Sequence, residues 1–188
     1  MLHDPAYRQR YEIDLRREFP RVYFQDDFPW WPGMGRDLLD LHLGFETAEP
    51  WPLERQDAGA NNHSPPSPPP GTAGGNVRAT HASPPRTILR ADKERNRITL
   101  DDRTTLSGIP PEAWQYQLGS CSALEWVLDQ YKERKPRDPT IGERFNTYRF
   151  ADHKGRVIDL LTRVTTVSVQ TVRIVDELHA RTSIDTTT

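Results

Sequence analysis

The chain is poor in the features that staple, anchor or arm a small protein. It holds one cysteine, Cys121, which excludes an internal disulfide and a cysteine-built zinc site within one copy. Cys121 is read as a small packed residue at a helix start. No run of 18 apolar residues exists, and the first residues lack the apolar stretch of a signal peptide. A cytoplasmic protein without a membrane span is the expectation. Catalytic signatures are missing too. There is no GxGxxG and no GxxxxGK[ST], so neither a dinucleotide nor a phosphate loop is signalled. Gly33-Met34-Gly35 is a glycine pair where a loop turns into a helix. The Asn-Pro-Pro-Tyr type of sequence with which amino-methyltransferases hold a flipped base is absent; Ile109-Pro110-Pro111-Glu112 lacks both the amide and the ring. Six histidines, at 3, 42, 63, 81, 153 and 179, show no metal-ligand spacing. Asp26-Asp27 and Asp101-Asp102 are paired carboxylates, read as solvated turn residues. No cofactor, metal or catalytic residue is expected in this chain.

What the chain has is a sharp unevenness. Its 188 residues are 35% hydrophobic, low for a compact globule. The deficit is concentrated in residues 57–85, which are rich in Ala, Asn, Ser and Gly and hold seven prolines, including SPPSPPP. Such a stretch favours extended polyproline conformations and buries too little apolar surface to offset ordering entropy of about 1–2 kcal/mol per residue. It is expected to be a disordered linker between two structured parts. Charge is uneven as well. Residues 1–58 carry 7 Lys/Arg against 12 Asp/Glu, a net of -5, whereas residues 130–156 carry 8 against 4, a net of +4, and residues 86–106 carry 6 against 4. Overall the chain is at -2.

Around the linker the pattern predicts an α+β fold. In residues 1–56, Tyr7, Tyr11, Leu15 and Phe19 recur at helical spacing over 4–19, with Asp4 as N-cap, Pro5 at the first helical position and Pro20 as the stop. A second helix, over about 33–45, buries Leu38, Leu39, Leu41 and Leu43. Residues 86–180 open with three short strands, around Ile88 and Leu89, over 98–100 and over 104–106, a small antiparallel meander. Ser122-x-x-Glu125 is a capping box for an amphipathic helix whose stripe is Leu124, Val127, Leu128 and Tyr131. Trp114 and Trp126 are assigned to the core. Residues 134–155 read as a loop with Pro136 and Pro139. A long helix over 156–179 follows, although its run VTTVSVQTV is poor helix material and a strand remains open there. Residues 181–188 are expected to be a disordered tail.

The basic segments are the functional lead. Arg90, Lys93, Arg95, Arg97 and Arg103 lie on or between the strands. Lys132, Arg134, Lys135, Arg137, Arg144, Arg149 and Lys154 follow the capped helix, with Asn146 and Tyr148 interleaved. Lys and Arg neutralise phosphates, Arg pairs bidentately with guanine, and Asn reads adenine. A contiguous cationic rim facing double-stranded DNA is the expectation.

Two blocks of wording add to this. HDPAYRQRYEIDLRREFPRVYFQDDF with GRDLLDLHLGFETAEPWPL covers 3–53, and ITLDDRTTLSGIPPEAWQYQLGSCSALEWVLDQY with RVIDLLTRVTTVSVQTVRIVDEL lies within 98–178. Both resemble the C-terminal specificity domain of type ISP restriction-modification enzymes, single polypeptides with nuclease, translocase and adenine-methyltransferase parts. The resemblance implies target recognition on duplex DNA, with S-adenosylmethionine, ATP and Mg2+ needed only by the full-length enzyme. It also implies that this chain is a fragment, whether truncated gene, split subunit or misplaced start. Its partner would be a methyltransferase/helicase polypeptide encoded upstream, and a remnant that only docks such a subunit is the alternative.

Overall fold

A computed structural model describes residues 5–20, 29–58, 85–134 and 147–185. A four-stranded antiparallel sheet lies against two helices, and the longer of these runs on to carry the N-terminal helices. The strands are β1 (Glu54–Asp57), β2 (Thr87–Asp92), β3 (Arg97–Asp101) and β4 (Thr104–Ser107), in the spatial order β1-β4-β3-β2. The three later strands form where alternation predicts them. β1 was not foreseen. Its sequence, ERQD, has no apolar residue; it enters the sheet by antiparallel pairing with β4 across the Pro-rich stretch, Glu54 opposite Ser107 and Asp57 opposite Thr104. The stretch read as a disordered linker lies outside the described residues apart from its ends.

Along β2 the register shifts between Thr87 and Arg90, and Leu89 sits there at φ 46°. A bulge of this kind re-aims side chains: Leu89 is buried while Ile88 and Arg90 on either side are exposed. The turn from β2 to β3 ends at Asn96, also left-handed at φ 49°, whose Oδ1 accepts the indole N–H of Trp114 at 3.0 Å. Asn tolerates this conformation better than most residues.

The inner face of the sheet contributes Leu89, Ile98, Leu100 and Leu106 to the main core. Against it pack α4 (Ala123–Gln130), a short 3-10 turn over Pro111–Trp114, and the first half of α5 (Phe150–Asp185). The capping box is present: Ser122 Oγ accepts from Glu125 N, and Glu125 Oε2 accepts from Ser122 N at 2.8 Å. A two-residue turn with Gly119 at φ 71° joins β5 (Gln117–Leu118) to β6 (Cys121–Ser122), just before that cap. Trp114 is buried, but Trp126 is 47% exposed, against expectation. It lies two residues from Leu124, about 200° round the helix, and so off the buried stripe.

The helix α5 is the spine. It begins at Phe150, inside the span expected to be loop, and reaches Asp185, inside the span expected to be a disordered tail. Its 36 residues span about 54 Å. The β-branched run is helical. From Val164 to Thr171 every side chain but Gln170 is buried, so packing on all sides outweighs weak propensity. The hydroxyls are satisfied locally, Thr165 donating to Leu161 O and Ser168 to Val164 O, each at 2.7 Å.

The N-terminal part straps onto this spine. α3 (Trp30–Leu43) starts earlier than expected, because Pro32 falls in its first turn, where an N–H has no helical partner to lose. Met34 and Leu38 pack on Leu178, while Leu39 and Leu43 face outward. Residues 48–51 run along α5: Arg163 donates to Ala48 O, Thr166 to Glu49 O, and Trp51 N to Thr162 O. The single helix expected over 4–19 is two short ones, α1 (Pro5–Arg10) and α2 (Glu12–Leu15), kinked at Tyr11. Tyr7 is buried, but Phe19, assigned to the same stripe, is 94% exposed.

Candidate nucleic-acid interface

The expected cationic rim divides between the two ends of the sheet. At one end the turn between β2 and β3 carries Lys93 and Arg95, with Arg97 opening β3. At the other, the β3–β4 hairpin carries Arg103, and the end of α4 and the start of α5 carry Lys132, Arg134, Arg149 and Lys154. A strand of six residues separates them, roughly 20 Å. Lys135, Arg137, Arg144 and Asn146 lie outside the described residues.

Six of these cations are held by carboxylates. Asp92 takes Arg97 Nε at 3.2 Å and Arg95 Nη1 at 3.6 Å. Asp129 takes Lys132 at 3.2 Å and Arg134 at 2.7 Å. Lys93 reaches Glu125 at 2.8 Å, and so tightens the capping box. These pairs are at the surface, where solvent and salt screen an ion pair and leave it worth little. The sixth differs. Lys154 Nζ lies 2.6 Å from Asp101 Oδ2, with the lysine side chain 19% exposed and the aspartate 2%. Asp101, read as a solvated turn residue, is therefore a buried anchor. Its Oδ1 accepts the N–H groups of Arg103 and Thr104, which closes the β3–β4 hairpin. Burial pushes this carboxyl up, but the Lys154 ammonium and the two N–H groups outweigh it and hold it below the ordinary value. Lys154 fastens α5 to the hairpin instead of facing solvent with its charge.

Tyr148 is also occupied: its hydroxyl donates to Tyr131 O at 3.0 Å and its ring stacks on His153. Arg149 is exposed and donates to Tyr148 O at 2.8 Å. Glu133, not singled out in the sequence, joins three elements by accepting from Thr87 Oγ1 at 3.2 Å and Phe150 N at 2.9 Å. Gln117, an adenine-reading type, donates to Trp114 O. Among the described residues no group of three or more His, Cys, Asp or Glu is placed to hold a metal ion, and no helix is long and apolar enough to cross a membrane.

The sequence did not single out the outward face of the sheet. Gln56, Thr105, Thr99 and Arg90 are successive partners across β1, β4, β3 and β2, so all four share one face. Gln56 and Arg90 are exposed, and Thr99 and Thr105 half-buried. A shallow groove of about 350 Å³ opens there, lined by Gln56, Thr99, Thr105 and Ile88, with Asp102 and Arg103 at its hairpin end. The alternation of half-buried and buried residues in β3 and β4 is the signal that would have found this face, once β1 was known.

A small sheet with one open face, bolted by a buried ion pair to a long helical spine, is the architecture of a binding module. Residues 1–160 match the family described as the Type ISP C-terminal specificity domain, and the chain belongs to that family. Among solved structures, a cryoEM DrdV–DNA complex is similar at 50% identity with a TM-score of 0.75, covering 94% of this chain and 17% of that one. A nuclease-deletion mutant of the Type ISP restriction-modification enzyme LlaGI, in complex with a DNA substrate mimic, shares the fold at 24% identity and a TM-score of 0.61, covering 94% of this chain and 13% of that one. The ATP-dependent Type ISP restriction-modification enzyme LlaBIII, bound to DNA, does so at 22% and 0.61, covering 94% and 10%. This chain thus spans 10–17% of those polypeptides. No curated protein sequence matches it.

Proposed function

We propose that this chain recognises the sequence of duplex DNA for a Type ISP restriction-modification system and performs no catalysis itself. The observation that carries this reading is membership of the specificity-domain family over residues 1–160, with half the residues identical to a relative solved with DNA. S-adenosylmethionine, ATP and Mg2+ belong to other parts of such enzymes, and the cytoplasm is where the reading places the chain. Phosphate contact falls to Lys93, Arg95, Arg103, Lys132, Arg134 and Arg149, which are exposed, and to the half-buried Arg97, joined by Lys135, Arg137 and Arg144, with Asn146 as a base reader. Their surface ion pairs do not prevent this, because exchanging a solvated carboxylate for a phosphate costs little. Lys154 is the exception.

The test is fluorescence anisotropy of the whole chain on labelled duplex across a salt series, with unlabelled competitors. Affinity is expected to fall linearly with log salt, with a slope of about -0.9 per neutralised phosphate, and one sequence is expected to outcompete the rest. Equal competition by every duplex removes the specificity, and absence of binding removes the reading.

A second reading has its own support. Ile13, Leu39 and Leu43 on the N-terminal helices, with Phe19 just after the second of them, are 57–94% exposed, more apolar surface than a solvated helix face needs. They suit docking on a methyltransferase/helicase polypeptide. Co-purification with such a subunit, without a DNA shift, is the result that favours it.

A further inference from the structure

Among the described residues, the side chains of Gln56, Thr105, Thr99 and Arg90 make no hydrogen bond or ion pair, although they stand side by side across four strands. Six other candidate cations are held by carboxylates. Arg90 is thus set apart: a guanidinium without a partner, on a strand rather than a turn, re-aimed outward by the bulge at Leu89. A row of donors and acceptors left unused by the fold, and held by sheet hydrogen bonds, is pre-organised for an external polar ligand.

The chemistry of the row narrows that ligand. At the hairpin end of the groove Asp57 and Asp102 flank Arg103, and Asp101 is taken by Lys154, so the groove holds no surplus of cations and a backbone-binding role does not suit it. Base edges do suit it. Arg pairs with guanine O6 and N7, Gln with adenine N6 and N7, Thr packs its methyl on that of thymine, and carboxylates accept from cytosine N4. Neighbours in the row stand on adjacent strands about 4.8 Å apart, so the row spans roughly 14 Å, about four base steps of about 3.4 Å each. Strands are established readers of the major groove. We propose that the outward face of the sheet, along Gln56–Thr105–Thr99–Arg90, reads base edges in the major groove of duplex DNA, while the basic turns only position the backbone. The proposal rests on the DNA-recognition reading above and moves the main base readout from the loop that carries Asn146 to the sheet.

The experiment is selection from a random-sequence duplex library by the whole chain as wild type, Arg90→Ala, and Thr99→Val with Thr105→Val. Salt titrations on the selected duplex and a scrambled one accompany it. These positions are at the surface, and circular dichroism checks that each variant is folded. Wild type is expected to enrich one motif. Arg90→Ala is expected to lose preference at a G·C position and to bind the selected duplex about 5- to 150-fold more weakly, with scrambled-duplex affinity unchanged within about twofold. The Thr pair is expected to change the motif elsewhere. Enrichment of the wild-type motif by both variants, or equal weakening on both duplexes with a shallower salt slope, overturns the proposal and leaves DNA recognition standing. A wild type that enriches no motif overturns both.

Discussion

Replacing Lys154 with Met tests the joint on which the sheet's orientation depends. The methionine keeps the aliphatic stem and removes the charge. Asp101 stays 2% exposed, and its Oδ1 keeps two backbone N–H groups. Its Oδ2 loses the ammonium and has no other hydrogen bond. Removing one member of a buried pair costs about 3–5 kcal/mol. The partial exposure of Lys154 admits water to the vacated side and places the loss near the lower bound, about 3 kcal/mol. With a urea slope of about 2 kcal/mol per molar, the unfolding midpoint at pH 7 should fall by about 1.5 M. Because Asp101 is held below its ordinary pKa, its contribution is present above about 3.9 and is lost as pH falls through the folded value. The gap between wild type and variant is therefore full at neutral pH and closes below about pH 4. Asp101→Asn combined with Lys154→Met should cost less than the sum of the two changes. A midpoint shift under about 0.2 M at pH 7, followed by fluorescence, would falsify the assignment of this pair as a buried anchor.

Other outcomes follow from single contacts. Ser122→Ala removes the N-cap acceptor of α4 and should destabilise by about 1 kcal/mol, read by urea unfolding; a neutral result means the cap is replaced by solvent. Thr166→Val deletes the bond to Glu49 O and leaves that carbonyl unpaired. It should cost about 1 kcal/mol and speed hydrogen exchange in 48–51 more than in the sheet. Uniform exchange throughout would deny that this hydroxyl holds the strap. Arg134→Ala frees Asp129 from one of its two cations and should change stability by under about 1 kcal/mol while reducing the salt slope of DNA binding by about 0.9; an unchanged slope takes it out of the interface.

Much of the fold was legible because local signals and burial agree. Alternation in β2 to β4 and the Ser122–Glu125 spacing each point to the observed element. β1 was not legible. ERQD carries no apolar mark, and its place is decided by a partner strand about fifty residues away. Asp101 was hidden for the same reason, since only Lys154 distinguishes it from Asp102 beside it. The fate of the cations was partly visible. Asp92-x-x-Arg95-x-Arg97 and Asp129-x-x-Lys132-x-Arg134 repeat one pattern of a carboxylate with cations three and five residues on. In both, the carboxylate takes both cations. Charge counts over a window treat these residues as a rim, but local pairing makes two compact clusters at opposite ends of a strand. Arg90 lacks such a carboxylate, which is why it stands out only when the pairs are known.

The β-branched stretch of α5 separates propensity from burial. At Val169, 1% exposed, substitution by Ala improves helix propensity by about 0.6 kcal/mol. It also removes two buried methyl groups worth about 0.8 kcal/mol each and leaves a cavity. The net loss should be about 1–2 kcal/mol. Next to it, Gln170 is exposed, so Ala there should stabilise by a few tenths from propensity alone. If tertiary packing makes this segment a helix, the two neighbouring alanines must move stability in opposite directions in the same urea assay. Should Val169→Ala stabilise as Gln170→Ala does, the helix stands on its own backbone preferences, and packing is not what overrides the strand-like composition.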